Sequence, residues 1–207
     1  MDIRERKAHW EQVYATKAEN EVSWFQETAA TSLGLIDHDD VPTDSAIIDI
    51  GGGASRLADN LLDKGYTDVS VLDVSAHALD AARARLGDDA RAIHWIVADI
   101  TQWTPPRRYD VWHDRAVLHF LTDESERAAY RAALQQGLKP GGLVIIGSFA
   151  LDGPEKCSGL TVQRYSPVTL ADFLGKEFTP LDHRSETHKT PWHSEQKFQF
   201  SRFRYLP

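Results

Sequence analysis

Short apolar runs alternate with amphipathic segments through the middle of the chain. The runs are rich in β-branched and aromatic side chains, which is typical of buried strands, and they lie at 46–50, 69–73, 93–99, 109–114 and 143–149. Helical patterns lie between most of them, as at 76–86, where Ser75 can cap the start and Gly87 can end the helix. Strands that alternate with helices in this way form a parallel sheet covered by helices on both faces.

The two ends of the chain depart from this alternation. A helix is predicted at 167–175, followed by a sixth strand at 178–183 and a seventh at 196–205. The connection between these strands is too short for a crossover helix, so we expect them to pair antiparallel. Ahead of the first strand, helices are predicted at 3–17 and 27–37, with an acidic loop at 37–40.

Length and pattern together predict one α/β domain over residues 1–207. A chain of 207 residues is long enough for one well-buried core and short for two. We expect a Rossmann-like core at 44–207 and an N-terminal helical segment at 1–43 that serves as a lid.

Composition and charge narrow the classes of function. The hydrophobic content of 42% is that of an ordinary globular protein, and no apolar run reaches the length of a membrane span. The net charge of −8, without a basic stripe, argues against nucleic acid as a partner. The charged residues 1–7 have no apolar stretch behind them, so we expect no secretory signal. The single cysteine suits a reducing, cytoplasmic compartment.

The run at 46–50 is closed by three glycines at 51–53. A strand, a tight turn and a helix start form a nucleotide cradle, because glycine lets a ligand approach the backbone and the helix start offers free N–H groups. Arg56 replaces the third glycine of the dinucleotide fingerprint, so NAD is less well supported than another nucleoside ligand. Asp73 ends the second strand, where a carboxylate can accept both ribose hydroxyls of either ligand.

A segment rich in charged and aromatic residues, 112–120, follows the fourth strand. Open α/β sheets bind ligands at this edge, so its histidines, acid and arginine are candidates for a site. The other interpretation is an ion network at a helix start with hydrogen-bonded histidines. We expect Cys157, on the loop after strand five, to line a pocket at the same edge. The loop histidines 183, 188 and 193 match no zinc motif, so no metal site is expected.

Taken together, these motifs resemble the class I S-adenosylmethionine (SAM)-dependent methyltransferases. The family fold is a Rossmann-like seven-stranded sheet, with six parallel strands, an antiparallel seventh and helices on both faces. The resemblance implies SAM as cofactor and S-adenosylhomocysteine (SAH) as product. It covers residues 44–207 in order, through the glycine motif at 49–53, the acidic strand end at 72–75, the turn at 98–100, the fourth-strand motif at 110–115 and the turn at 138–142.

The resemblance also implies roles for individual residues. The implied cofactor-binding residues are Trp24, Asp49, Gly51, Gly52, Gly53, Asp73, Val74, Asp99, Ile100 and Asp114. The implied catalytic residues are Asp114, His113 and His119, and the implied substrate residues are Arg115, Phe120 and Cys157. Asp99 has a second interpretation, in which it only caps the following turn.

Aromatic residues in the N-terminal segment resemble the lid of small-molecule methyltransferases such as thiopurine methyltransferase. They are Trp10, Tyr14 and Trp24, and rings of this kind can cover a sulfonium cation and exclude water. The other interpretation is that they only fix an extra helix to the core.

We therefore expect SAM-dependent methyl transfer to a small-molecule nucleophile by in-line displacement, with a thiol or a similar soft acceptor favoured. A protein lysine methyltransferase is the first alternative. An NAD-linked oxidoreductase or a non-catalytic nucleotide-binding protein is the second. The expected partner is the small-molecule acceptor, with no nucleic acid and no membrane.

Overall fold

The computed structural model describes residues 3–38 and 41–207. Met1 and Asp2 of the charged N-terminus, and Asp39 and Asp40 of the predicted acidic loop, lie outside the described residues. Two helices precede the first strand, α1 (Ile3–Thr16) and α2 (Ala30–Asp37). In the part of the chain that is described, no helix combines the length and apolar character needed to cross a bilayer.

The core then alternates strands with helices in the predicted order. Its elements are β1 (Ala46–Ile50), α3 (Leu57–Asp63), β2 (Asp68–Asp73), α4 (Ala76–Leu86), β3 (Ile93–Val97), β4 (Tyr109–Arg115), α5 (Glu124–Gly137) and β5 (Leu138–Phe149). The last quarter contains β6 (Lys156–Cys157), β7 (Leu160–Thr161), α6 (Pro167–Leu174), β8 (Phe178–Lys189) and β9 (Glu195–Tyr205). The short hairpin β6–β7 was not predicted. The predicted N-cap of α4 is confirmed, since the Ser75 side chain accepts a hydrogen bond from the Ala78 N–H.

The sheet has seven strands in the order β3-β2-β1-β4-β5-β9-β8. Strands β1 to β5 pair in parallel, β9 is antiparallel to β5, and β8 is antiparallel to β9. Six strands therefore run in one direction and β9 alone runs against them, which confirms the predicted sheet.

The final hairpin is longer than predicted. β8 continues to Lys189, which pairs with Glu195, so the connection is shorter than the predicted 184–195. Side chains in this part of β8 are mostly exposed, so no apolar alternation marked it as a strand. The prediction that His183 and His188 lie on a loop is wrong, because both belong to β8.

The core has one layer on each face of the sheet. Alternate residues of a strand point to opposite faces, so Ile47 and Val111 pack under α2, α3 and α4, whereas Ile48 and Trp112 pack under α5 and α6. This alternation decides which side chains at the carboxyl ends of the strands can reach a common site.

Helix α1 packs across the carboxyl edge of the sheet and is fixed to the start of α4 by Glu11. The Glu11 carboxylate accepts hydrogen bonds from the Ser75 hydroxyl and the Ala76 N–H, each at 3.0 Å, and contacts the His77 ring. Burial opposes its ionisation, but the hydrogen bonds from His77 and from the helix N-terminus lower the pKa of Glu11 to about 2. An ionised Glu11 thus serves as an external cap for α4.

Candidate active site

Two adjoining cavities lie at the carboxyl edge of β1, β2 and β4. The larger encloses about 790 Å³, including its mouth, and the smaller about 590 Å³. Tyr14, Trp24, Gly51 and Arg115 line both of them. The predicted glycine turn, lid and fourth-strand end therefore meet at one place.

The glycine turn shapes the wall between the cavities. Gly51 and Gly53 have φ angles of +65° and +45°, which residues with a side chain rarely adopt. A Cβ at Gly53 would lie 2.8 Å from Asp73 Oδ2 and 3.1 Å from the Tyr14 hydroxyl. The turn is thus a cradle in which a ligand can lie directly against backbone.

Asp73 ends β2 beside this turn and lines the larger cavity. Its side chain is buried, and Oδ1 accepts a hydrogen bond from the Ser75 N–H at 2.8 Å. Burial raises the pKa of Asp73 to about 7, with further contributions from the charges of Asp49 and Glu11. Near neutral pH the group is therefore only partly ionised, and a hydroxyl donor would stabilise its charged form.

Asp99 lies two residues after β3 and lines the larger cavity. Its Oδ1 accepts hydrogen bonds from the Thr101 N–H at 2.9 Å and the Thr101 hydroxyl at 2.7 Å. Its Oδ2 pairs with Arg6 of α1 at 3.1 Å, and Arg6 also contacts Glu126. The carboxylate thus caps the turn, as one interpretation held, and also lines the larger cavity, together with its neighbour Ile100 and with Val74 after β2.

His113 lines the smaller cavity between two partners. Its Nδ1 lies 2.7 Å from Asp49 Oδ1, and its Nε2 lies 2.8 Å from the Ser32 hydroxyl of α2. All three side chains are buried, and Asp49 and Gly52 line the same cavity. Because both ring nitrogens are engaged, His113 holds Asp49 in place and is not free to accept a proton from an acceptor.

Asp114, which was predicted to bind the cofactor and to act in catalysis, is held by three hydrogen bonds on the α5 side of the sheet. Its carboxylate accepts hydrogen bonds from the Tyr130 hydroxyl at 2.7 Å and from the Val117 and Leu118 N–H groups at 2.8 and 3.1 Å. It is fully buried on the α5 face, and burial raises its pKa to about 6 against these hydrogen bonds. It lines neither cavity. These contacts are those of a cap for the turn that follows β4.

His119 also lies outside both cavities. Its ring packs against Phe120 and Phe149, with centroids 4.4 and 4.8 Å apart, and neither ring nitrogen has a hydrogen-bond partner among residues 3–38 and 41–207. Burial, together with the charge of Arg115, lowers the pKa of His119 to about 3. The ring is therefore neutral and forms part of the wall behind Phe120.

The three predicted substrate residues all line the larger cavity. Arg115 donates a hydrogen bond from Nη1 to the Trp24 carbonyl at 3.0 Å, and its guanidinium carbon lies 4.8 Å from the Phe198 ring centre. Phe120 and Cys157 lie beside it. Burial raises the pKa of the Cys157 thiol to about 11, so Cys157 is a neutral wall residue.

Aromatic side chains of the N-terminal segment roof both cavities. The Trp10 ring lies 5.6 Å from that of Trp24 and 5.0 Å from that of Phe120, and the Tyr14 ring lies 6.2 Å from that of Trp24. These contacts join α1, the following loop and the end of β4 into one apolar surface above the glycine turn.

Arg56, which replaces the third glycine, fixes this roof to the glycine turn. Its guanidinium pairs with Glu19 at 2.5 Å and lies over the Phe25 ring. Arg85 of α4 binds the other Glu19 oxygen at 2.6 Å and the Ala54 carbonyl at 3.0 Å. The arginine thus has a structural partner in the N-terminal segment.

Several residues of the site had no assigned role in the sequence analysis. They are Arg6, Ser32, Gln196 and Phe198. Arg6 is one of many charges in α1, and only its burial in the fold distinguishes it. Gln196 and Phe198 belong to the predicted seventh strand, and the antiparallel pairing of β9 with β5 places Phe198 opposite Phe149 at the carboxyl edge of the sheet.

Comparison with known sequences agrees with this geometry. Residues 47–142 match the family described as a methyltransferase domain. The N-terminal Xaa-Pro-Lys N-methyltransferase 1 of Danio rerio is 30% identical over 101 residues, which cover 48% of this chain and 45% of that protein. The chain spans about half the length of the curated relatives it matches, 45% and 51% for the first two.

Solved structures share the fold over almost the whole chain. One, described for the conversion of a disulfide bond into a thioacetal group during echinomycin biosynthesis, has a TM-score of 0.76 at 20% identity and covers 97% of this chain and 92% of that one. The 1,6-didemethyltoxoflavin-N1-methyltransferase of Burkholderia thailandensis, with bound SAH, has a TM-score of 0.70 at 19% identity and covers 100% and 92%. The central part of the chain, residues 47–142, is thus similar to a methyltransferase domain, and the fold of the chain resembles that of a methyltransferase solved with bound SAH.

Proposed function

We propose that the chain transfers a methyl group from SAM to a small-molecule nucleophile by in-line displacement. The observation that carries this proposal is the cavity beside the glycine turn, which is polar at Asp73 and Asp99 and aromatic at Trp10, Trp24 and Phe120. A polar nucleoside end next to a dry aromatic end is the arrangement that methyl transfer needs.

The residues present fit the cofactor. Asp73 is placed to accept hydrogen bonds from the ribose hydroxyls, and Val74, Asp99 and Ile100 form the wall for the adenine. Asp49, held by His113, lies at the smaller cavity, where its charge would attract the amino group of the methionine part. When bound, SAM supplies a methyl group activated by a sulfonium centre.

The N-terminal segment serves as the lid of this site in our proposal. Trp10, Tyr14 and Trp24 present aromatic faces to the cavities, and such faces attract a sulfonium cation while excluding water. The ion pair between Arg6 and Asp99 closes the lid at the adenine end.

No described residue at the acceptor end has the geometry of a general base. His113 is engaged at both nitrogens, His119 is neutral behind Phe120, and Cys157 has a raised pKa. Without a general base, the acceptor must already be nucleophilic at neutral pH, and a thiol meets this condition. The described sulfur chemistry of the echinomycin-pathway structure supports the same acceptor class.

A protein acceptor is the second candidate. The name of the Danio rerio relative describes methylation of a protein N-terminus by that protein, and this relative matches about half of the present chain. The NAD-linked alternative is set aside, because the chain matches a methyltransferase domain and Arg56 is engaged by Glu19.

Radiolabelled SAM distinguishes the two acceptor classes. The protein is incubated with methyl-labelled SAM and either the protein fraction or the low-mass fraction of a cell lysate. Label is expected in low-mass products, and label found only in protein would contradict a small-molecule acceptor. Asp73→Ala, which removes the ribose acceptor, serves as the control and should lose labelling in both fractions.

A further inference from the structure

Arg115 is a cation enclosed in the cavity wall with most of its donors unused. Nη1 donates to the Trp24 carbonyl at 3.0 Å. Nε and Nη2 are buried and have no hydrogen-bond partner within the described ranges. The aromatic face of Phe198 packs against the guanidinium. Leaving two buried donors of a cation unsatisfied is costly, unless a ligand completes them.

The acidic groups nearest to Arg115 have other partners. Asp49 is bound to His113, and Glu186 accepts a hydrogen bond from Gln26 at 3.0 Å through Oε1, whereas its buried Oε2 has no partner within the described ranges. Within the part of the chain that is described, no carboxylate forms an ion pair with Arg115. The wall that also holds Cys157 and Phe198 therefore contains a cation without an ion-pair partner.

We propose that the methyl acceptor is a small apolar or aromatic carboxylate, and that Arg115 binds its carboxylate through Nε and Nη2. These two nitrogens form one side of the guanidinium fork, which matches the two oxygens of a carboxylate. Trp24, Phe120 and Phe198 would enclose the apolar part. This inference rests on the proposed function and adds the charge class of the acceptor.

The same charge disfavours a protonated amine. An ammonium group entering the cavity would meet a cation of like sign in a poorly solvated space, where repulsion is stronger than in water. The inference therefore favours an anionic small molecule over a peptide N-terminus or a lysine.

Three ligands with one ring system test the inference. The SAH-saturated protein is titrated by calorimetry with 2-naphthoate, 2-naphthamide and 2-naphthylmethylammonium. The carboxylate should bind at least about tenfold more tightly than the amide, and the ammonium compound most weakly, since charged hydrogen bonds are stronger than neutral ones. Equal binding of the carboxylate and the amide would overturn the inference.

Substitution of the arginine tests its part in this selectivity. Arg115→Met should bind carboxylate and amide equally, whereas Arg115→Lys should keep part of the preference. Arg131→Met is the matched control, because Arg131 is also partly buried, donates to the Phe173 carbonyl at 3.1 Å and lines neither cavity. A preference that survives in Arg115→Met would overturn the inference.

The carboxylate of the cofactor is the other anion within reach, because Arg115 lines both cavities. SAH affinity is therefore measured for the wild type and Arg115→Met, alongside the analogue of SAH that lacks its carboxylate. A loss of affinity for SAH only would assign Arg115 to the cofactor and overturn the inference. If SAH does not bind the wild type, the proposed function fails; if SAH binds without anion selectivity, only the present inference fails.

Discussion

Replacing Asp73 by asparagine separates the cost of a buried charge from its proposed use in binding. Asparagine has nearly the same shape, and its side-chain oxygen can still accept from the Ser75 N–H. The substitution removes the ionisable group while leaving the glycine cradle intact. We expect a more stable protein that binds SAH less well.

The size of the stability gain follows from the pKa of Asp73. It rises from an ordinary 3.8 to about 7 in the folded protein, because burial disfavours the charged form. At about 1.36 kcal/mol per pKa unit, the folded state above pH 7 carries a penalty of about 4 kcal/mol.

The sign of the pH dependence is set by the raised pKa. Below pH 3.8 the carboxyl is protonated in both the folded and the unfolded state, so it costs nothing. As pH rises to about 7, the unfolded state releases its proton first, and wild-type stability falls. The gain from Asp73→Asn should therefore be about 2 kcal/mol at pH 5 and about 4 kcal/mol at pH 8.

Urea unfolding of the two proteins at pH 5 and pH 8 measures this difference, and calorimetry at pH 8 measures SAH binding. The exposed Asp63→Asn at the end of α3 is the control and should change neither quantity. A stability gain of the same size at both pH values would refute the reasoning, as would a variant that binds SAH as tightly as the wild type. Loss of one charged hydrogen bond to ribose should weaken SAH binding about tenfold, or about 1.4 kcal/mol.

Three further substitutions test other contacts. Arg6→Met should speed SAH dissociation about three- to tenfold in stopped-flow experiments, because the lid loses its ion pair with Asp99; an unchanged rate would remove the lid role. His113→Ala should lower the free energy of unfolding by about 2–4 kcal/mol, since it leaves Asp49 buried without its partner. Urea unfolding measures this loss, and a smaller value would argue against the hydrogen-bonded network of Asp49, His113 and Ser32. Gly53→Ala should abolish SAH binding in calorimetry, because its Cβ would strike the carboxylate at the end of β2; retained affinity would contradict the cradle.

The cofactor end of the site was predictable because its signals are local. Gly51 follows β1, Asp73 ends β2 and Asp99 lies two residues after β3, and parallel strands bring their carboxyl ends to one edge. All three line the larger cavity. The strand pattern alone was sufficient to bring them together.

The sequence did not show which residues of the fourth-strand motif face a cavity. Adjacent residues of a strand point to opposite faces, so His113 and Asp114 cannot both face the same cavity. His113 faces α2 and the smaller cavity, whereas Asp114 faces Tyr130 of α5. Because the strand is buried on both faces, its sequence carries no polar alternation that would identify the ligand side.

The acceptor end was the least predictable, because it depends on contacts between distant parts of the chain. Arg115 contacts the Trp24 carbonyl and the Phe198 ring, from opposite ends of the sequence. Neither contact produces a local pattern in the sequence. Phe198 reaches the cavity because β9 pairs antiparallel with β5, which places it opposite Phe149 at the carboxyl edge of the sheet.

The β8–β9 hairpin divides the site into two parts of different origin. Its far end is tied to the lid loop by the His188 ring, 2.7 Å from the Ser23 carbonyl, and by Gln26 and Glu186. The cofactor side is built from residues 49–100, whereas the hairpin contributes Phe198 to the acceptor side. Exchange of the hairpin and the loop it contacts would therefore change acceptor choice while sparing the grip on the nucleoside. Proteins with this fold can therefore diverge in acceptor choice by changing the hairpin and the loop it contacts, and the same exchange is open to protein engineering.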